Sequence, residues 1–235
     1  MITAKKIGFF FIIIAALITA SCGNNKPVGN ESNTAATPAA TGDSSAGITT
    51  AKKTILFFGN SLTAGYGLED ASTQGFPALI QGKIDSLKLP YKTVNAGNSG
   101  ETSAGGKGRI GWILKQKIDV FVLELGANDG LRGISPTETL SNLQAIVDTV
   151  KLKYPSAKLV LLGMQVPPNM GSMYSNQFKT VFPTLAQKNN MALVPFLLQG
   201  VGGIASLNQG DGIHPTAEGD KIVAENIWKI LKGVL

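Results

Sequence analysis

The chain is short of the residues that several classes of protein depend on. It has one cysteine, Cys22, among 235 residues, so no internal disulfide can form and no cysteine-rich metal site can be built. It has one histidine, His214, and no cluster in the sequence offers a metal site; no cofactor is expected. Charged residues make up only 15%. No dense Lys/Arg run or basic–aromatic stripe occurs, which argues against a nucleic-acid partner. The formal charge is +6, and Lys5 and Lys6 fall in a segment expected to be removed. That leaves about +4, a mild surplus that reads as solubility with weak attraction to anionic lipid. No internal repeat is visible. The hydrophobic fraction of 43% is too high for a disordered chain, and the length allows one domain of about 200 residues with a full-sized core.

The first fifth differs from the rest. Lys5 and Lys6 precede an apolar run from Ile7 to Ile18, followed by Thr19-Ala20-Ser21 and then Cys22. The run is short for a membrane span and has the layout of a secretory signal peptide. The cysteine at its small-residue end resembles the lipobox of bacterial lipoproteins, although Thr19 stands where that motif prefers leucine. The expectation is a signal peptide over 1–21 and a lipidated Cys22; an ordinary signal peptide with an incidental cysteine is the alternative. Residues 23–51 are rich in Gly, Asn, Ser, Thr, Ala and Pro and cannot bury enough surface to offset their ordering entropy. With Cys22 they read as a disordered tether over 22–51, of roughly 30 Å average span. The resulting expectation is a cell-envelope lipoprotein, anchored to the membrane on the periplasmic side or in the outer membrane. The absence of aspartate at Gly23 favours the outer membrane.

From 52 to 235 short apolar runs alternate with amphipathic stretches. Strands are expected over 54–59, 91–95, 120–125, 158–164 and 191–195, and helices over 76–87, 104–117, 137–153, 174–189 and 216–232. Leu140, Leu143, Ile146, Val147 and Val150 form the clearest stripe and read as a core-facing helix. Apolar strands separated by helices indicate an α/β domain with a parallel sheet covered on both faces, in which ligands bind beyond the carboxyl ends of the strands. Ser61, Gly100 and Asn128 follow the first three strands, and Asp211 and His214 lie between the last strand and the last helix.

A serine hydroxyl becomes a useful nucleophile only when a neighbouring base removes its proton. Gly59-Asn60-Ser61-Leu62-Thr63 puts Ser61 on a strand-to-helix turn, where Oγ is exposed and its own amide can face a developing oxyanion. Alone, the same pattern describes a helix cap. His214 is the one candidate for imidazole chemistry, and Asp211, three residues earlier, can turn back to fix its tautomer. Alone, that pair also fits a surface Asx turn. Asn98-Ser99-Gly100-Glu101-Thr102 and Gly126-Ala127-Asn128-Asp129 are polar loops able to offer a backbone N–H and a side-chain amide, and each alone reads as a turn.

Together and in this order, the four blocks resemble the SGNH (GDSL-type) hydrolase family over roughly 53–233. The segments Leu123–Gly133 and Asp211–Pro215 are most similar to its bacterial periplasmic thioesterase/lysophospholipase/arylesterase branch. The resemblance implies a three-layer α/β/α sandwich around a five-stranded parallel sheet of flavodoxin-like type. It also implies Ser61 as nucleophile, His214 as general base and Asp211 as its orienting partner. The oxyanion hole would comprise the amides of Ser61 and Gly100 and the side chain of Asn128. The family's first block usually reads Gly-Asp-Ser; Asn60 departs from it and is expected to change local hydrogen bonding without removing catalysis. The substrate implied is an acyl ester or thioester, taken by a monomer. Met164, Val166, Pro167 and Met170 could wall an apolar acyl groove, or pack in the core. Two rivals stand beside this reading: a glycan O-acetyl esterase of the same family, and a non-catalytic lipid- or glycan-binding lipoprotein.

Overall fold

The computed structural model describes residues 51–235. The expected signal peptide, Cys22 and nearly all of the expected tether lie outside the described residues. Five strands form one parallel sheet in the order β2-β1-β3-β4-β5: β1 Lys53–Gly59, β2 Tyr91–Gly97, β3 Val120–Glu124, β4 Lys158–Leu162 and β5 Ala192–Val194. The two central strands are buried on both faces, β1 from Thr54 onward and β3 throughout. That explains their unbroken apolar reading. The edge strand β2 is partly exposed along most of its length.

The helices are α1 Ser61–Ala64, α2 Ala71–Gln74, α3 Phe76–Ser86, α4 Ser103–Ile113, α5 Ala127–Leu131, α6 Pro136–Lys153, α7 Ser172–Asn189 and α8 Ala217–Leu231. The crossover from β1 to β2 runs one way along the sheet, and all later crossovers run the other way. Right-handed connections therefore put α3 on one face and α4, α6 and α7 on the opposite face. The packing agrees: α3 contacts α8, whereas α4 packs on α6 and α6 on α7. The result is a three-layer α/β/α sandwich. The stripe on α6 is buried as its periodicity requires, with Leu143, Ile146, Val147 and Val150 in the core and Leu140 packed against it.

Several boundaries differ from expectation. The fourth strand stops at Leu162: the Gly163 N–H still reaches Val194 O at the end of β5, but its carbonyl accepts from Leu197 N, beyond that strand. The fifth strand is three residues long. The helix expected over 104–117 runs from Ser103 to Ile113: Thr102 caps its start by accepting from Gly105 N. The stretch at 126–129, expected as a turn, leads into the short helix α5. Because successive crossovers diverge from β1 and β3, the crevice at their carboxyl ends is the topological switch point, where open α/β sheets bind ligands.

Candidate active site

Ser61 sits where β1 runs out. Asn60 caps α1, its Oδ1 accepting from Leu62 N at 2.9 Å, and Gly65 ends the helix in the left-handed region at φ 73°. This one-turn helix leaves Ser61 Oγ facing His214, with Oγ and Nε2 2.8 Å apart. On the other side of the ring, His214 Nδ1 is 2.6 Å from Asp211 Oδ2. Asp211 Oδ1 accepts from the N–H groups of Ile213 and His214 at 3.0 and 3.1 Å. The tautomer consistent with these partners carries the proton on Nδ1 and leaves Nε2 to accept from the serine. The His214 hydrogen bond and then the Ile213 N–H hold the Asp211 carboxyl down at about 2, so it is ionised at neutral pH.

The connection bearing His214 is fixed from both ends. Gln209 N donates to His214 O at 2.7 Å, Thr216 N donates to Leu207 O, and Gln209 Nε2 reaches Tyr66 O and Pro215 O. The Tyr66 ring lies 4.8 Å from the imidazole, centroid to centroid.

Gly100 and Asn128 close the other side. Gly100 adopts φ 79°, which a residue with a Cβ takes only at a cost. Its carbonyl accepts from Arg132 Nη2 at 3.0 Å. Asn128 Nδ2 donates one hydrogen to Glu101 O at 3.0 Å, and the amide has a second hydrogen to give. The loop is held by Arg109, whose guanidinium forks onto the Glu101 carboxylate at 2.7 and 2.6 Å, donates to Ala96 O, and stacks 4.3 Å from the Phe58 ring centre. Fully buried Asp129 accepts from Ser103 N at 2.8 Å, from Ser103 Oγ and from Thr139 Oγ1, tying α5 to the start of α4.

A cavity of about 610 Å³ opens over these groups. Ser61, Gly100, Asn128 and His214 line it on the polar side; Leu131, Met164, Val166, Pro167, Phe196 and Leu198 supply most of its apolar wall. Met170 is a correction. It ends the 3-10 turn Pro168–Met170 and is not among the cavity's lining residues. Met164 lines the cavity while remaining buried, so it serves wall and core together.

Sequence reasoning missed Leu131, Phe196, Leu198, Tyr66, Arg109 and Glu124. Apolar residues in the connections beyond the carboxyl ends of β3 and β5 could have suggested the first three, because that edge of the sheet is where ligands bind in such folds. Arg109 inside a glycine-rich helix carried no such signal. Asn60 does change the hydrogen bonding of the turn: its Nδ2 donates to Glu124 Oε1 at 2.9 Å.

A doubly wound parallel sheet with a serine–histidine–aspartate chain at its switch point defines an α/β serine hydrolase architecture. The chain belongs to the GDSL-like lipase/acylhydrolase family, whose family model matches residues 57–222. It is 41% identical over 186 residues to esterase TesA of Pseudomonas aeruginosa, spanning 79% of this chain and 90% of that one. It is 36% identical over 183 residues to thioesterase 1/protease 1/lysophospholipase L1 of Escherichia coli K12, covering 77% of this chain and 85% of the relative. Among solved structures, esterase EstA of Pseudoalteromonas sp., inhibited by monoethylphosphonate, superposes with a TM-score of 0.72 at 32% identity, over 78% of this chain and 98% of that one.

Proposed function

We propose that the protein hydrolyses acyl esters and thioesters through a serine acyl-enzyme. The observation that carries this reading is the unbroken chain from Asp211 through His214 to Ser61 at the mouth of an apolar cavity. Ser61 Oγ attacks the carbonyl carbon as His214 Nε2 takes its proton. The N–H groups of Ser61 and Gly100 and the free hydrogen of Asn128 Nδ2 receive the oxyanion. The tetrahedral species collapses by breaking the bond to the alcohol or thiol, which leaves with the proton from His214. Water, deprotonated by His214, then releases the acid and restores Ser61. Asp211, ionised, keeps the imidazole in the required tautomer.

The cavity supports acyl chains longer than acetyl, since it is large and mostly apolar. The names of the relatives, esterase and thioesterase, point the same way. The phosphonate inhibition of EstA fits a serine nucleophile, because an electrophilic phosphorus is attacked as an acyl carbon is. Every group of the proposed site comes from one chain, so a monomer would suffice for the reaction. The N-terminal sequence supports a signal peptide, lipid on Cys22 and a tether in the cell envelope; two acyl signals hold a protein on a bilayer stably.

The test is hydrolysis of p-nitrophenyl esters from acetyl to dodecanoyl by the full chain in mild detergent, beside Ser61→Ala. Activity that rises toward medium or long chains and disappears in the variant is expected. Activity confined to acetyl would indicate a deacetylase, and an active Ser61→Ala would rule out the serine mechanism.

A further inference from the structure

Glu124 is the last residue of β3 and is wholly buried, yet it has no charged partner among its hydrogen bonds. Its carboxylate instead receives three neutral donors, all from the turn that carries Ser61. Asn60 N donates to Oε2 at 3.0 Å, Asn60 Nδ2 to Oε1 at 2.9 Å, and Thr63 Oγ1 to Oε2 at 2.9 Å. Asn60 then passes the constraint on, since its Oδ1 accepts from Leu62 N and stands 3.4 Å from Ser61 Oγ. Room for this clamp exists only because residue 59 is glycine. A Cβ there would lie 2.1 Å from Thr63 Oγ1 and 2.5 Å from Glu124 Oε2.

We propose that Glu124 is a positioning residue for the nucleophile: it fixes the Ser61 turn through Asn60 and Thr63, and the neutral amide at 60 leaves the single negative charge of this buried pair on 124. This rests on Ser61 being the nucleophile. Desolvation pushes the Glu124 carboxyl up to about 7, against the pull of the Asn60 and Thr63 hydrogen bonds, so the charge is fully in place above that pH. A buried carboxylate with no cation among its partners is kept only by its donors. Those donors rigidify the turn in return. A glutamine at 124 must aim an NH₂ at one of them, and donor against donor opens the clamp. An aspartate at 60 opposes two carboxylates in one dry site, so one proton must be shared. Making both changes at once reverses the polarity of a single hydrogen bond. The new amide at 124 donates its NH₂ to the new carboxylate at 60. The amide oxygen at 124 still accepts from the residue-60 N–H and Thr63, and one negative charge remains.

The test compares Glu124→Gln, Asn60→Asp and the double variant in the full-length protein, on one p-nitrophenyl ester, with Ser61→Ala as control. Glu124→Gln is expected to lower kcat by about 10- to 100-fold with KM within about twofold, a displaced nucleophile rather than a lost binding contact. Asn60→Asp, which restores the residue usual at this place in the family, keeps kcat near wild type while the proton is shared. For Asn60→Asp a loss appears only as pH rises and the shared proton leaves. The double variant should recover kcat to within about fivefold of wild type. A Glu124→Gln protein that does not fold, beside a double variant that folds and turns over, supports the same pairing. Wild-type kcat in Glu124→Gln, or a double variant no better than the worse single one, overturns it. An active Ser61→Ala instead overturns the hydrolase reading itself and leaves a different signature.

Discussion

Replacing Asp211 with asparagine is the sharpest test of the hydrogen-bond chain, because the two oxygens of Asp211 have different duties. One accepts from two backbone N–H groups and the other from His214 Nδ1. Asparagine has one oxygen and must choose. With oxygen toward the backbone, its NH₂ faces Nδ1, which must then accept; the proton moves to Nε2, and the imidazole can no longer receive the serine proton. With oxygen toward Nδ1 the tautomer survives, but the NH₂ opposes two N–H donors and the Asp211–His214 turn opens. Each lost charge-assisted bond costs about 1.5–3 kcal/mol. Water softens that figure, since the Asp211 side chain is 39% exposed. Retaining the working tautomer thus costs roughly 3–4 kcal/mol, and the carboxylate that steadied the imidazolium is gone as well. The expected loss in kcat is on the order of 10³–10⁴, or about 4–5.5 kcal/mol of transition-state stabilisation. It should appear in kcat for a p-nitrophenyl ester with KM nearly unchanged, in a protein with the wild-type melting temperature. A folded Asp211→Asn variant within tenfold of wild type would refute the argument and make Asp211 a turn residue that happens to touch the ring.

Asp220 is buried in the first turn of α8, and desolvation raises its carboxyl to about 7 against the Phe76 N–H that lowers it. Between its unfolded value of 3.8 and about 7 only the folded chain keeps the proton, so this group's contribution falls as pH rises and is fully unfavourable above 7. Asp220→Asn should therefore raise the melting temperature at pH 8 and hardly at pH 4, with a ceiling of roughly 4 kcal/mol; an equal gain at both values would contradict this. Gly106 lets α4 approach the core, and a Cβ there would stand 2.3 Å from Leu125 Cδ1. Gly106→Ala should cost about 1–3 kcal/mol in urea denaturation, whereas Gly108→Ala, with open space, should be neutral or stabilising. Val166→Phe narrows the cavity and should cut dodecanoyl relative to acetyl turnover by at least about tenfold; an unchanged chain-length profile would show that the acyl chain lies elsewhere.

The sheet and its helices were legible because their signals are local. Unbroken apolar runs in β1 and β3 and the stripe on α6 each report burial directly. Helix ends set by capping or by glycine carried a weaker signal, and α1 carried almost none. Its four residues depend on the Asn60 cap and the turn at Gly65, not on periodicity. Ser61, His214 and Asp211 could be picked out because each stands at a strand end or in a loop, where a reactive side chain has no packing duty. The apolar cavity wall was harder to read. Met170 and Val166 look alike in sequence and lie close together, yet only Val166 faces the cavity, and that depends on the backbone path through 163–171.

Glu124 marks the limit more clearly. In the run Val122-Leu123-Glu124-Leu125 it looks like an outward-facing residue at a strand end, the ordinary reading of one charge among apolar neighbours. Its meaning depends on a residue 64 positions away. Adjacent parallel strands place their carboxyl ends side by side, and β1 pairs with β3 so that Gly59 lies opposite Glu124. That register puts the carboxylate beneath the residue that follows Gly59, which is the turn before the serine. The switch point thus supplies both halves of the site: a crevice above the sheet for the ligand and, below it, a buried anchor for the turn that carries the nucleophile.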